Sequence, residues 1–154
     1  DGTERGVTEA LDIDELFSVI DSETDLDVPL PAGTRIGHVH LHVQDIEAGK
    51  DFYVNLIGMH SLLHMDGMGM SDFGIDQTTQ PHSLAINEWN SSAAAPRPEG
   101  TAGLIRWQLQ VPDDAALTEL RSRLEAASWP FEATERGLLV TDPSANQLEV
   151  VTAG

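Results

Sequence analysis

Cysteine is absent from the 154 residues, which excludes disulfides and thiolate metal sites and leaves His, Asp or Glu to hold any metal. Lysine is almost absent too. Lys50 is the single one, and Lys and Arg together number 8 against 26 Asp and Glu, for a formal charge of −18. Such a surface repels nucleic-acid phosphates and anionic lipid, so neither is an expected partner. It suits concentrated salt, where screening removes the like-charge repulsion, and a salt-adapted cytoplasm is the expected setting. No apolar run reaches the roughly 18 residues of a membrane span, and the N-terminus is acidic where a signal peptide is basic. The chain therefore reads as soluble and unexported.

What is present fits one domain, because 154 residues with 40% hydrophobic content can bury a sizeable core. Residues 1–35 are acidic and contain proline, and Leu11, Leu16, Phe17 and Ile20 behind Asp12 predict a short amphipathic linker helix. From Thr34 the pattern changes. Ile36 to Val43 alternates strictly, which sets Val39, Leu41 and Val43 on one side and His38, His40 and His42 on the other: a strand with a histidine face. Asp45 can cap a helix whose apolar positions are Ile46, Phe52, Tyr53, Leu56 and Ile57, and Gly58 supplies a left-handed stop. Short apolar stretches at 60–65, 69–74 and 82–87 predict further strands.

A segment rich in Ser, Ala, Pro and Gly, 90–103, then separates a second unit. Leu104 to Val111 alternates like the first strand, Leu117, Leu120 and Leu124 make a helical stripe, and Phe131, 137–141 and 146–152 read as strands. An offset of about 68 residues superimposes the halves. The reading is an α+β chain with a linker, 1–35, and a domain, 36–154, built from two βαβββ modules at 36–89 and 104–152. Their sheets are predicted to join in one open cup with the helices outside. The residues predicted to face it are His38, His40, His42, His82, Leu84, Ile86, Arg106, Gln108, Gln110, Gln147, Glu149 and Val151. Neutral imidazole and carboxylate suit a divalent first-row metal, and two His with one carboxylate is the facial set of non-haem Fe(II) oxygenases.

The stretches I-G-H-V-H-L-H-V-Q-D-I-E-A-G-K-D-F-Y-V-N-L-I-G-M, H-S-L-A-I-N-E-W and D-P-S-A-N-Q-L-E-V resemble modules of the vicinal oxygen chelate superfamily, which includes glyoxalases, bleomycin-resistance proteins and extradiol dioxygenases. The resemblance spans residues 34–153. More narrowly, T-E-A-L-D-I-D-E-L followed by P-A-G-T-R-I-G-H-V-H-L is similar to the junction and C-terminal half of two-domain catechol 2,3-dioxygenases, and with the start at Asp1 it implies a further N-terminal domain as a partner. A second copy of the chain is another candidate partner.

The resemblance implies that His38 and Glu149 are metal ligands and that His82 is an acid/base near a bound catechol or a third ligand, while His40, Arg106 and Gln108, as cup-facing residues, are expected to contact substrate. The implied cofactor is a divalent metal, Fe(II), and the implied substrate a small aromatic diol or other vicinal-oxygen compound. Three positions depart from the family. Arg106 stands where a ligand His is usual, Leu84 where glyoxalases carry an acid, and Leu139 where dioxygenases carry Tyr. A guanidinium cannot bind a cation. Two other readings follow: a catalytically silent binding or scaffold domain in which an Arg106–Glu149 ion pair replaces the metal, and a glyoxalase-like or small-molecule-sequestering protein.

Overall fold

The structure, a computed structural model, describes residues 12–21, 27–76, 82–95, 98 and 100–153. The chain divides into two compact units, Asp1–Arg35 and Ile36–Gly154. In the first, helix α1 (Ile13–Ser18) starts at Asp12, whose side chain accepts a hydrogen bond from the Glu15 amide at 2.8 Å. It buries none of its residues. Leu16, Phe17 and Ile20 of the predicted stripe are exposed, and Leu11 lies outside the described residues.

The second unit contains both modules. The first runs β1 (Val39–His42), α2 (Ile46–Asp51) continued by π-helical turns over Phe52–Ile57, β2 (His60–Met65), β3 (Met70–Gly74) and β4 (Leu84–Asn87). The second runs β5 (Trp107–Val111), α3 (Asp114–Ala126), β6 (Phe131–Ala133), β7 (Gly137–Thr141) and β8 (Gln147–Thr152). The strand orders are β1-β4-β3-β2 and β5-β8-β7-β6, so the first and last strands of each module pair in parallel and the others antiparallel. The architecture is that of two βαβββ modules, as the repeat predicts. The ladders form two separate four-stranded sheets rather than one continuous sheet.

Both long helices begin where an aspartate can satisfy free amides. Asp45 accepts from Ala48 N and Asp113 from Ala116 N, each at 2.9 Å. The first helix ends at Gly58 with φ 91°, as expected of a left-handed cap. One core runs through both modules: Leu41, Val43, Phe52, Tyr53, Leu84 and Ile86 share it with Trp107, Leu120, Leu124, Leu138, Leu148 and Val150. Polar links cross the same boundary. Arg123 of α3 donates to the carbonyls of Leu56 and Ile57, both at 2.9 Å, which satisfies orphan acceptors at the end of the first helix. Tyr53 donates to Asp142 at 2.9 Å, and Ser144 Oγ accepts from Gln44 N at 2.8 Å.

The acid excess sits on the surface, as at Asp113, Asp114, Glu119, Glu125, Glu132 and Glu135, with few cations between. Raising KCl from about 0.1 M to about 2 M, which shortens the screening length severalfold, is expected to raise the melting temperature by several degrees. A melting curve that does not move with salt would show that the charge density costs nothing.

Candidate metal and ligand site

The strand register decides which side chains reach the open face of the first sheet. Val39, Leu41 and Val43 turn toward the helix, and exposed His38, His40 and His42 turn away. In the ladder His40 lies opposite Ala85, and Ala85 opposite Asp72, so these three share one rung and one face. Leu84 and Ile86 are fully buried in the core with Leu41, against the expectation that they line the cup. The cause is visible in the chain: His82 precedes the strand and Ser83 bends, so the alternation assumed from His82 onward does not hold.

His82 nevertheless reaches the histidine face. Its Nε2 is 3.2 Å from His40 Nε2, and its Nδ1 is 3.1 Å from Asp72 Oδ2. The ring of His38 stands 4.7 Å from that of His82 and 5.0 Å from that of His40, centroid to centroid. One ligand nitrogen from each of the three histidines falls within 4.8 Å of the others. Burial pushes the His40 pKa down from its ordinary value; positive charge on His38 or His82 lowers it further, and Asp72 opposes this. The shift favours the neutral imidazole, the form with a lone pair for a metal.

Asp72 was missed by the sequence reading. It is 8% exposed, and its Oδ1 is buried with no hydrogen-bond partner among the described residues. The signal was present: an acid inside a short strand, M-S-D-F-G, is costly to bury unless partnered.

On the second sheet, Glu149 lies directly opposite Gln108, which donates to its Oε2 at 3.2 Å. Arg106 is exposed and precedes β5. No ion pair joins Arg106 to Glu149 among the described residues, which corrects the pair expected in the metal-free reading. The rung neighbour of Glu149 is the amide, and Arg106 lies outside the ladder. Glu149 is likewise outside the group of three imidazoles.

Beside His40 opens a cavity of about 510 Å³ lined by His42, Gln44, Asn90, Ser91 and Asn146 among others. Among the described residues, none of its walls comes from Asp, Glu, Lys or Arg. The described walls offer hydrogen bonds and apolar contact.

This architecture has known counterparts. The Glyoxalase/Bleomycin resistance protein/Dioxygenase superfamily profile matches residues 35–150, and the chain belongs to that superfamily. It is 31% identical over 136 residues to the catechol-2,3-dioxygenase of Bacillus subtilis (strain 168), covering 88% of this chain and 46% of that protein. The chain thus spans about half the length of this relative. Among solved structures, a glyoxylase/bleomycin resistance protein/dioxygenase domain from Frankia sp. EAN1pec superposes with a TM-score of 0.64 at 20% identity, covering 79% of this chain and 98% of that one. Lactoylglutathione lyase from Agrobacterium tumefaciens gives 0.58 at 21% identity, covering 80% and 96%. The fosfomycin resistance protein FosX from Listeria monocytogenes gives 0.57 at 14% identity, covering 77% and 90%. At these identities the superpositions speak for the fold.

Proposed function

We propose that this domain binds a small aromatic diol through its two adjacent oxygens, with a divalent metal of the Fe(II) kind, and takes part in extradiol ring cleavage. The observation that carries the reading is the convergence of His38, His40 and His82 on one open face, in a chain similar to a catechol-2,3-dioxygenase. The donor set fits such an ion, because neutral imidazole is a preferred ligand of first-row metals and the carboxylate on this face, Asp72, contacts the far nitrogen of His82. A bound ion would supply Lewis-acid polarisation of the substrate oxygens and a path for electrons from the diol, which is the net reductant, to dioxygen.

The chain's own contribution is positioning. His40, one of the three imidazoles, lines the cavity, so a diol held there would lie with the rest of its ring against Gln44, Asn90 and Ser91. The described walls carry no carboxylate or guanidinium, which favours neutral catechols over ring-carboxylated ones. The chemistry consumes one dioxygen per diol, and both its atoms are retained in the ring-opened product.

Fe(II)-loaded protein supplied with catechol and with 3- and 4-alkyl catechols is expected to take up oxygen in proportion to the diol lost, and to lose at least about tenfold in kcat/KM on a ring-carboxylated analogue. Iron-loaded, folded protein that consumes no oxygen with any of these diols would sink the proposal.

A further inference from the structure

We infer that the metal centre of this domain lies wholly on the first module, with His38, His40 and His82 as ligands and Asp72 as the carboxylate that orients His82 from behind. The inference specifies the site on which the proposed function rests. Three features of the geometry point to it.

The first is spacing. Two nitrogens each about 2.1 Å from one ion stand roughly 3.0–3.4 Å apart when they are neighbours in its shell. His40 Nε2 and His82 Nε2 are 3.2 Å apart, so both can face one ion without moving. His38 is exposed, and a change of rotamer is open to it within the 4.8 Å that encloses the three nitrogens.

The second is orientation. Asp72 Oδ2 lies 3.1 Å from His82 Nδ1, and a carboxylate there takes the Nδ1 proton as a hydrogen bond and leaves the Nε2 lone pair pointing to His40. This is how proteins commonly fix a metal-binding imidazole. Asp72 is itself nearly buried and pinned on β3, so the ring is held from a rigid element. Room for the ring comes from Ala85. His40 and Asp72 flank Ala85 on the same rung, two strand spacings or roughly 9.6 Å apart, and only a methyl group rises between them. The imidazole of His82 fills that gap and bridges the outer two residues.

The third is the state of the alternatives. Arg106 has no lone pair to offer. Glu149 is held by Gln108 across the second sheet and stands apart from the imidazole group. His82 is therefore assigned to the metal rather than to proton transfer.

The test uses the whole chain freed of metal with a chelator and titrated with Co(II), read by calorimetry and by the visible absorption of the ion. The parent should bind one equivalent. His40→Ala and His82→Ala should each weaken binding about 100-fold or more, and Asp72→Asn, isosteric and so expected to fold, by about 10–100-fold. Glu149→Gln and Arg106→Ala should leave the affinity unchanged. In the metal-free chain, nitrogen NMR should find the His82 proton on Nδ1, and that preference should fall in Asp72→Asn. If Glu149→Gln weakens Co(II) binding as much as the histidine variants, or if the parent binds none, the assignment is overturned. A chain that binds Co(II) as described yet consumes no oxygen with diols and Fe(II) keeps this centre and loses only the ring-cleavage reading.

Discussion

Replacing Asp142 with alanine is expected to remove about 4 kcal/mol of folding stability, a large fraction of the roughly 5–15 kcal/mol typical of a domain. Asp142 is 4% exposed and ties the turn between β7 and β8 to the first module. Its Oδ1 accepts from the amides of Ser144 and Asn146, both at 2.8 Å, and its Oδ2 from Tyr53 Oη and Asn146 Nδ2, both at 2.9 Å. Alanine leaves the Tyr53 hydroxyl in the core without its acceptor, so desolvation adds to the lost bonds. Urea denaturation would measure the loss, and a midpoint within error of the parent would refute it.

The same contact sets an alkaline limit. Burial first, then the charge of Asp142, push the Tyr53 pKa well above the ordinary phenol value. The unfolded chain releases this proton near pH 10, so the stabilisation is complete below about pH 10 and is lost progressively as pH rises further. Tyr53 is the only tyrosine, which makes the comparison clean. Tyr53→Phe should cost about 1–2 kcal/mol near pH 7 and should show a smaller further loss between about pH 9 and pH 11 than the parent. An equal alkaline loss in both would assign it to other groups.

Gly137→Ala is the second large effect. A Cβ at Gly137 would overlap the carbonyl oxygen of Val150 and stand 3.1 Å from the Cα of Val151. Both belong to the backbone of β8, directly across the ladder, so no side-chain rotation relieves the clash. The strands must part at this rung, at a cost of about 3 kcal/mol or more, or roughly a 100-fold fall in the ratio of folded to unfolded chain. Because β8 carries Glu149 opposite Gln108, the hydrogen bond between them should loosen as well. A urea curve superimposable on that of the parent would show that β7 already has slack there.

Much of the fold was legible because its signals are local. Alternation marked β1 and β5, Asp45 and Gly58 bounded the first module's helix, a leucine stripe marked α3, and the repeat gave the two modules. The strands begin later than alternation alone suggests: β1 starts at Val39 and β5 at Trp107, since Ile36 and Ile105 remain 86% and 77% exposed and pair with nothing in the ladders. The site was only half legible. His38, His40 and His82 came from alternation and resemblance, but their grouping depends on the bend at Ser83 and on the registers that set Ala85 between His40 and Asp72. Register is a long-range property, and a strand's own residues do not state which neighbour stands beside them. The expected pairing of Arg106 with Glu149 failed for the same reason, because the ladder gave Glu149 the adjacent amide.

The rungs of the two sheets can be laid side by side. Reading inward from the edge strand, one has His40, Ala85 and Asp72, and the other Gln108, Glu149 and Leu139. The acid has changed places by one strand between the copies. Duplication left two versions of a single scaffold, and a small residue at the middle position of one made space for an incoming ring where the other put a carboxylate. Enlarging residue 85 should therefore do to the first copy what divergence has already done to the second.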